Sequence, residues 1–290
     1  MGGSISTGWN ITKQSLRALK EDKEIIIFPI LSIIITLAIT AVFVVALFTT
    51  YLGSPLFSGD IYSAHFFFVC VIYALIVRIV SSFFQAAIVT SATIRFSGKN
   101  PSLGDGLSGP LKIIHKIFLW AIVSTIVSMI LGAIQNAFRK GGRGIEAVAG
   151  AGTGILGLAW GMATLFVIPV MLFEKESMIG SIKRSKDLFV KTWGENISAQ
   201  VATGGIFVIA AILGVIPPLL FMIFDLEALV IPSLILAVLW FCIIVVLAVS
   251  VDGIVKAALY SYAVSGKMPE IYEEETAKAM TRKGQTEGKK

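Results

Sequence analysis

Four polar side chains with the chemistry to hold a charged group interrupt long apolar stretches of this sequence: Arg78, Gln85, Asp252 and Lys256. Ionisable residues are costly in hydrocarbon, so they usually pair with one another or line the path of an ion or a solute. Asp252 and Lys256 are four residues apart, which places them on one face of a helix, where they can neutralise each other. Arg78 has no acidic residue at that spacing. The four residues form a candidate intramembrane polar cluster.

Two interpretations of this cluster stay open. In the functional one, its residues line a cavity that binds a solute, an ion or a lipid headgroup. In the structural one, the Arg78 guanidinium pairs with Asp252 and docks two parts of the chain. Counting back from the similar segments "SGKNP" and "SGKMP" places Gln85 near the level of Asp252, with Arg78 about two turns deeper. An arginine side chain is long enough to bridge that gap, so the structural interpretation predicts an Arg78–Asp252 pair.

Catalytic and metal-binding patterns are not found elsewhere in the sequence. His65 and His115 have no Cys, Asp or Glu at the spacing of metal ligands. The segment "GTGILG" matches a dinucleotide-binding pattern only in its letters, because it opens an apolar stretch and does not follow a strand. Gly154, Gly157 and Gly161 are instead spaced for the close approach of a neighbouring helix. The sequence predicts no enzyme, no cofactor and no bound metal.

The elements that position these residues are membrane helices. Of the 290 residues, 56% are hydrophobic and 14% are charged, and the mean hydropathy is +0.87. Such a composition is that of an integral membrane protein. Six stretches reach the roughly 20 residues that a helix needs to cross a bilayer: about 25–51, 65–94, 113–133, 150–173, 197–224 and 229–263. The predicted fold class is an all-α, polytopic membrane protein with six transmembrane helices.

The distribution of Lys and Arg predicts the orientation of the chain. Basic residues are concentrated before the first span, between the second and third, between the fourth and fifth, and after the sixth. The loops "LGSPLFSGDIYSAH" and "DLEA" contain none. By the positive-inside rule, both termini are cytoplasmic and the protein belongs to the cell membrane.

One loop departs from that rule. The segment "FRKGGRG" places Arg139, Lys140 and Arg143 on the predicted outer side. These residues could contact outer-leaflet headgroups or an acidic partner. Equally, they could extend from an interfacial helix toward water. A third interpretation is that the third and fourth spans are wrongly paired, and all three interpretations stay open.

The sequence repeats one unit three times. The same Ser-Gly-Lys-x-Pro segment follows the second and the sixth span, and a segment with apolar residues at helical spacing precedes the first, third and fifth. The repeated unit is an interfacial amphipathic helix followed by a transmembrane hairpin. The predicted parts of the single membrane domain are a helix at 1–24, hairpin 1 at 25–98, helix and hairpin 2 at 99–174, helix and hairpin 3 at 175–266, and a charged tail at 267–290.

The amphipathic helices are predicted to lie on the cytoplasmic membrane surface. In "SIKRSKDLFVKTWGE", Phe189 and Trp193 are expected to face the acyl boundary, while basic residues face anionic headgroups. The candidate lipid-interface residues are Trp9, Arg17, Lys183, Arg184, Lys191 and Trp193. Membrane lipids are therefore the predicted partners, a membrane-protein partner is a further option, and the net charge of +6 requires no nucleic acid.

The junction "FEKESMIGSIKRSKDLFVKTWGE", together with the two Gly-Lys-x-Pro segments, resembles an uncharacterised family of six-span prokaryotic integral membrane proteins. That family is similar to the YciC-like proteins and to the membrane domain attached to some glycerophosphodiester phosphodiesterases. The resemblance implies a fold and carries no activity with it, because the family has no assigned activity.

The predicted function is that of a non-enzymatic membrane protein, which acts as a scaffold, an auxiliary subunit or a lipid-organising factor. One alternative is a carrier or channel for a small solute, an ion or a lipid that uses the embedded Arg78 and Asp252. A second alternative is a lipid-processing membrane enzyme, for which the sequence offers no recognisable catalytic set.

Overall fold

The computed structural model describes residues 2–49, 64–139, 154–193 and 198–273, which form helices and short connections without any strand. In chain order the helices are α1 (Gly2–Glu21), α2 (Glu24–Leu47), α3 (Ala64–Phe96), α4 (Leu103–Lys112), α5 (Ile114–Arg139), α6 (Gly154–Phe173), α7 (Met178–Trp193), α8 (Ser198–Ile223) and α9 (Glu227–Ser265). A turn at 164–166 interrupts α6 before its last part, Val167–Phe173. The predicted all-α fold is confirmed.

Six of these helices are long and apolar enough to cross a membrane: α2, α3, α5, α6, α8 and α9. They coincide with the six predicted spans, so the chain is a multi-pass membrane protein. In chain order, α1 precedes α2 and α3, α4 precedes α5 and α6, and α7 precedes α8 and α9. The division into three repeats stays a prediction. The loop residues Lys140 and Arg143 and the side chain of Arg139 lie outside the described part of the chain.

The fifth span contains two prolines. Pro217 and Pro218 lie inside α8, which continues through both to Ile223. Proline removes a backbone donor and leaves the carbonyl four residues earlier without its usual partner. Membrane helices tolerate this loss where neighbouring groups satisfy the freed backbone. The continued helix keeps enough length to cross the bilayer.

The glycines that were predicted to bring helices together in α6 do not do so. A Cβ atom placed at Gly154, Gly157 or Gly161 would meet no atom within 4 Å. Their spacing fits helix contact, but spacing alone does not supply a partner helix. The prediction of close packing at these three glycines is therefore wrong for the described part of the chain.

Close helix packing occurs at two other glycines. A Cβ atom at Gly253 would overlap the Cγ2 methyl of Ile88, and one at Gly214 would overlap the indole of Trp240. Gly253 thus lets α9 approach the end of α3, and Gly214 lets α9 approach α8. The contact at Gly253 lies next to Asp252 in the sequence of α9.

The chain consists of two compact units, which are described separately. The first contains residues 1–29, 88–105 and 188–290, and the second contains 30–87 and 106–187. In the first unit, Ile11, Leu19 and Ile254 are fully buried. In the second, a core of α5 and α6 residues includes Trp120 and Trp160, whose rings stack 6.1 Å apart.

Candidate functional site

A groove of about 400 Å³ lies between α8 and α9 of the first unit. Its lining is apolar except for one acidic side chain and comprises Phe207, Val208, Ala211, Phe241, Ile244, Val245, Ala248, Val249, Asp252 and Val255. Cavities of roughly 300–1,000 Å³ with few polar groups are typical of small-molecule sites. The groove therefore joins a long apolar wall to a single carboxylate.

A tryptophan fixes α8 against α9 above this groove. The Trp240 indole packs on Gly214, and its Nε1–H donates a hydrogen bond of 2.8 Å to the Ala210 carbonyl. Two of the lining residues are small: Ala211, which follows Ala210 on α8, and Ala248, which is one turn before Asp252 on α9. Small side chains leave space where larger ones would close the seam, so the groove opens beside a fixed contact.

The same contact gives the level of Asp252. A connection of three residues joins α8 to α9, so the two helices run antiparallel. Asp252 is twelve residues after Trp240 (252 − 240), and Ser198 is twelve before Ala210 (210 − 198). Asp252 is thus level with the start of α8. Asp252 also comes 25 residues after Glu227, where α9 begins (252 − 227), which is about 38 Å of helix and longer than a hydrocarbon layer of about 30 Å. The carboxylate therefore belongs at the boundary of the hydrocarbon layer, although α9 continues to Ser265.

Asp252 and Lys256 form the ion pair that their spacing predicts. The Lys256 Nζ atom lies 2.7 Å from Asp252 Oδ2. The side chain of Asp252 is 41% exposed and that of Lys256 is 20% exposed. The groove thus ends at an accessible carboxylate whose charge is balanced one helical turn further along.

Arg78 has a different environment in the second unit. Its Nη2 donates a hydrogen bond of 3.5 Å to Ser128 Oγ, and the Ser128 hydroxyl donates to the Ser124 carbonyl at 2.8 Å. The Arg78 side chain is exposed. Among the described residues of this unit, no carboxylate lies within ion-pair distance of the guanidinium.

The level of Arg78 follows from α5. Near the start of that helix, Lys116 Nζ donates to the Glu176 carbonyl at 2.7 Å. Ser128 comes twelve residues later, which is about 18 Å along a helix axis. In a hydrocarbon layer of about 30 Å, this distance corresponds to the middle of the span. Ser124 and Ser128 were not predicted as site residues, and their four-residue spacing is the one signal of them in the sequence.

The four predicted cluster residues divide between the two units. Arg78 and the half-buried Gln85 belong to the second, and Asp252 and Lys256 belong to the first. The pairing of Arg78 with Asp252, and a cavity that both would line, stay predictions.

The predicted lipid-interface residues are mostly exposed. Trp9 is 57% exposed, and Lys183 and Lys191 are exposed as well. Arg17 lies 3.4 Å from Glu273, and Arg184 lies 2.7 Å from Glu174. The side chain of Trp193 lies outside the described part of the chain.

Phe189 departs from its predicted position. It was expected to face the acyl boundary, but it is 6% exposed, and Ser181 and Ser185 on the same stripe of α7 are fully buried. The reason lies in the break of α6, where Ser185 Oγ accepts a hydrogen bond of 2.9 Å from the Phe166 amide. Phe166 is the residue that precedes the last helical part of α6. The face of α7 that carries Ser181 and Ser185 is therefore buried, and Phe189 lies on the same face.

The segment after α9 returns to α1 within the first unit. The Tyr272 hydroxyl and Ser15 Oγ are 2.8 Å apart, and the Glu273 amide donates to Gln14 Oε1 at 3.2 Å. Tyr272 is 5% exposed. Burial raises the pKa of Tyr272, and the hydrogen bond with Ser15 lowers it by less. This segment holds α1 in place beside the helices that form the groove.

Nearby, Arg95 joins α3 to the end of α1. Its guanidinium lies 2.6 Å from Glu21 and 3.2 Å from Asp22. Burial raises the pKa of Asp22, against the lowering effect of Arg95. These contacts bring charged side chains together at the end of α3. Arg78 lies much earlier along the same helix.

Comparison with known proteins gives one match. The model of DUF6159, described as a family of unknown function, matches residues 61–269, which is more than half of the chain. The chain belongs to this family. No curated protein and no solved structure matches it. The resemblance to an uncharacterised family is thus confirmed, whereas the likeness to the YciC-like proteins and the phosphodiesterase membrane domain is not shown. Both the groove and Arg78 lie within the residues that this DUF6159 match covers.

Proposed function

We propose that this DUF6159 member is a non-enzymatic lipid-binding protein of the cell membrane, the lipid-organising option among the predicted functions. It holds one acyl chain of a membrane lipid in the groove between α8 and α9. The observation that carries the proposal is the apolar wall that ends at the accessible carboxylate of Asp252. A site of this kind suits an amphiphile, whose apolar and polar ends are also separated.

The length of the groove supports an acyl chain of one leaflet. Asp252 follows Phe241 by eleven residues, which is about 17 Å of helix. One leaflet contributes roughly half of a hydrocarbon layer of about 30 Å. The polar end of the groove then falls where a headgroup begins.

The proposal includes cytoplasmic termini, with α1, α4 and α7 as amphipathic helices on the inner surface and anionic headgroups as their partners. Supporting this orientation are the basic residues beside these helices and the lack of Lys and Arg in "DLEA". In that orientation the Asp252 end of the groove belongs to the inner leaflet.

Cysteine labelling of intact cells tests this orientation. Residues 53–63, which lie outside the described part of the chain, and residues 225–228 should react from outside, and residues 99–109 should not. Reaction of the 99–109 segment would reverse the orientation.

Native mass spectrometry of the purified protein tests lipid binding. Ala211→Trp places an indole in the groove and should remove the bound lipid. Ile209→Trp is the matched control, because Ile209 is on the same helix, is 60% exposed and does not line the groove. It should retain the lipid.

Equal lipid occupancy in the two variants would contradict the groove as the binding site. A third measurement addresses the absence of an enzymatic role: the recovered lipid should be chemically unchanged after prolonged incubation with the protein. Recovery of a cleaved or transferred headgroup would favour the alternative of a lipid-processing enzyme.

A further inference from the structure

We infer that the groove selects lipids whose headgroup carries an ammonium group with N–H donors, that is, the ethanolamine class over the choline class. This inference rests on the proposed function and names the ligand of the same site. The inference rests on two residues: Asp252, which lines the groove, and Lys256, which does not.

The exposed carboxylate is the first step of the argument. An ionised Asp is purely a hydrogen-bond acceptor, and its two oxygens offer about four sites for donors. With 41% of its side chain exposed, Asp252 can accept a further donor from the groove while it keeps its contact with Lys256. A ligand that brings N–H or O–H groups to this end therefore gains hydrogen bonds.

The second step concerns net charge. Asp252 and Lys256 together are neutral, and Asp252 is the one charged residue among the described residues that line the groove. A headgroup with a net negative charge would place that charge against the accessible carboxylate. A zwitterionic headgroup adds no net charge to the pair, and its ammonium matches Asp252. Charge alone, however, would not distinguish ethanolamine from choline.

Hydrogen bonding supplies the distinction in the third step. Both headgroups carry a phosphate and a nitrogen cation joined by a two-carbon linker, but the choline nitrogen is fully methylated and donates nothing. Hydrogen bonds to charged groups are stronger than neutral ones. Lys256 has three donors, so it can hold Asp252 and still donate to the phosphate. The pair can therefore satisfy both ends of an ethanolamine headgroup.

Competition between defined lipids provides the test. The probes are phosphatidylethanolamine, phosphatidylcholine and phosphatidylglycerol with identical acyl chains, supplied in equal amounts to the delipidated full-length protein and counted by native mass spectrometry. One hydrogen bond to a charged group should favour ethanolamine over choline by roughly tenfold. The double variant Asp252→Asn with Lys256→Gln should bind both lipids without preference. Arg78→Gln, which removes a charge outside the groove, should keep the preference.

The outcomes separate the two proposals. Equal binding of ethanolamine and choline lipids by the wild type, with binding still lost in Ala211→Trp, would overturn the headgroup inference and leave the groove intact. A preference for phosphatidylglycerol would also overturn it, because Lys256 would then dominate recognition. Binding that Ala211→Trp does not change would overturn the groove itself. If the double variant does not fold, Asp252→Asn alone should show the same loss of preference.

Discussion

Asp252 and Arg78 both interrupt apolar spans, yet they occupy different environments. Asp252 lies at the boundary of its span, pairs with Lys256 on its own helix and lines a groove. Arg78 lies near the middle of its span, and its guanidinium reaches the Ser128 hydroxyl. A charged group at the boundary keeps access to water and headgroups, whereas one at the centre of a helix costs roughly 2.5–3.5 kcal/mol on insertion scales. Depth and partner, rather than residue type, decide which of the two is ready to bind a ligand.

The packing beside Asp252 gives the largest expected effect. Gly253→Ala should lower the free energy of unfolding by about 1–3 kcal/mol, because the new methyl overlaps Ile88. The matched change Gly132→Ala, in α5 of the other unit, meets no atom within 4 Å and should be neutral or raise stability by up to about 1 kcal/mol. Thermal unfolding of both variants in detergent measures the difference. If Gly253→Ala is as stable as Gly132→Ala, the close contact of α9 with α3 does not exist.

Arg78→Leu should act in the opposite direction. The change removes a cation from the middle of a span and gives up one long hydrogen bond, so stability toward unfolding in sodium dodecyl sulfate should rise by about 1–2 kcal/mol. Ser128→Ala, the control, removes the hydrogen bond and leaves the cation, so it should not raise stability.

A loss of several kcal/mol in Arg78→Leu would instead show that the guanidinium has a carboxylate partner. Asp252 is the partner that the sequence predicts, and Arg78→Leu combined with Asp252→Leu should then recover much of the loss. Coupling of less than about 0.5 kcal/mol in that double-mutant cycle would rule the pair out.

The contact between Tyr272 and Ser15 predicts a smaller, pH-dependent effect in the first unit. Burial raises the pKa of Tyr272 above its usual value of about 10. Up to that pH both states keep the proton and stability does not depend on it. Above it the unfolded chain loses the proton first, so stability falls as the pH rises.

Thermal unfolding at a series of pH values checks this prediction. Tyr272→Phe should cost about 0.5–1.5 kcal/mol at neutral pH and should lose part of the alkaline decline seen in the wild type. Tyr73→Phe is a control, because the Tyr73 hydroxyl likewise pairs with an aliphatic hydroxyl, that of Thr40, at 2.8 Å, but Tyr73 is only half-buried. An identical alkaline decline in the wild type and Tyr272→Phe would contradict a buried Tyr272.

The smallest expected effect tests the level of Asp252. Lys256→Met leaves the carboxylate without its cation, but a partly exposed pair at the boundary should contribute less than about 1 kcal/mol. Detergent unfolding of this variant measures the cost. A loss of 3–5 kcal/mol, which is typical when one partner of a buried pair is removed, would place Asp252 deep in the hydrocarbon and make the two sites alike.

Several structural features could be predicted because they depend on local sequence alone. Six apolar stretches of span length require helices, since backbone groups in lipid must bond within their own segment. The Asp252–Lys256 pair follows from helical spacing. The order of the helices likewise follows from the alternation of polar and apolar segments in the sequence.

Packing partners could not be predicted, because they depend on residues far apart in the chain. The glycines of α6 have the spacing of a helix contact, yet Gly214 and Gly253 are the described glycines at which another helix presents a side chain. Phe189 is buried because α7 turns its serines toward the broken part of α6.

The sequence by itself determined the membrane class, the helices, their order and which charged residues fall within or beside the spans. Only the tertiary structure decided that α8 and α9 leave a groove, that Trp240 sets their register and that this groove ends at Asp252. The physical reason is that hydrophobicity and helical period act along one segment, whereas a groove is the space left between two segments. The shape of a groove depends on which small and large side chains face each other, and the sequence alone does not specify those facing pairs.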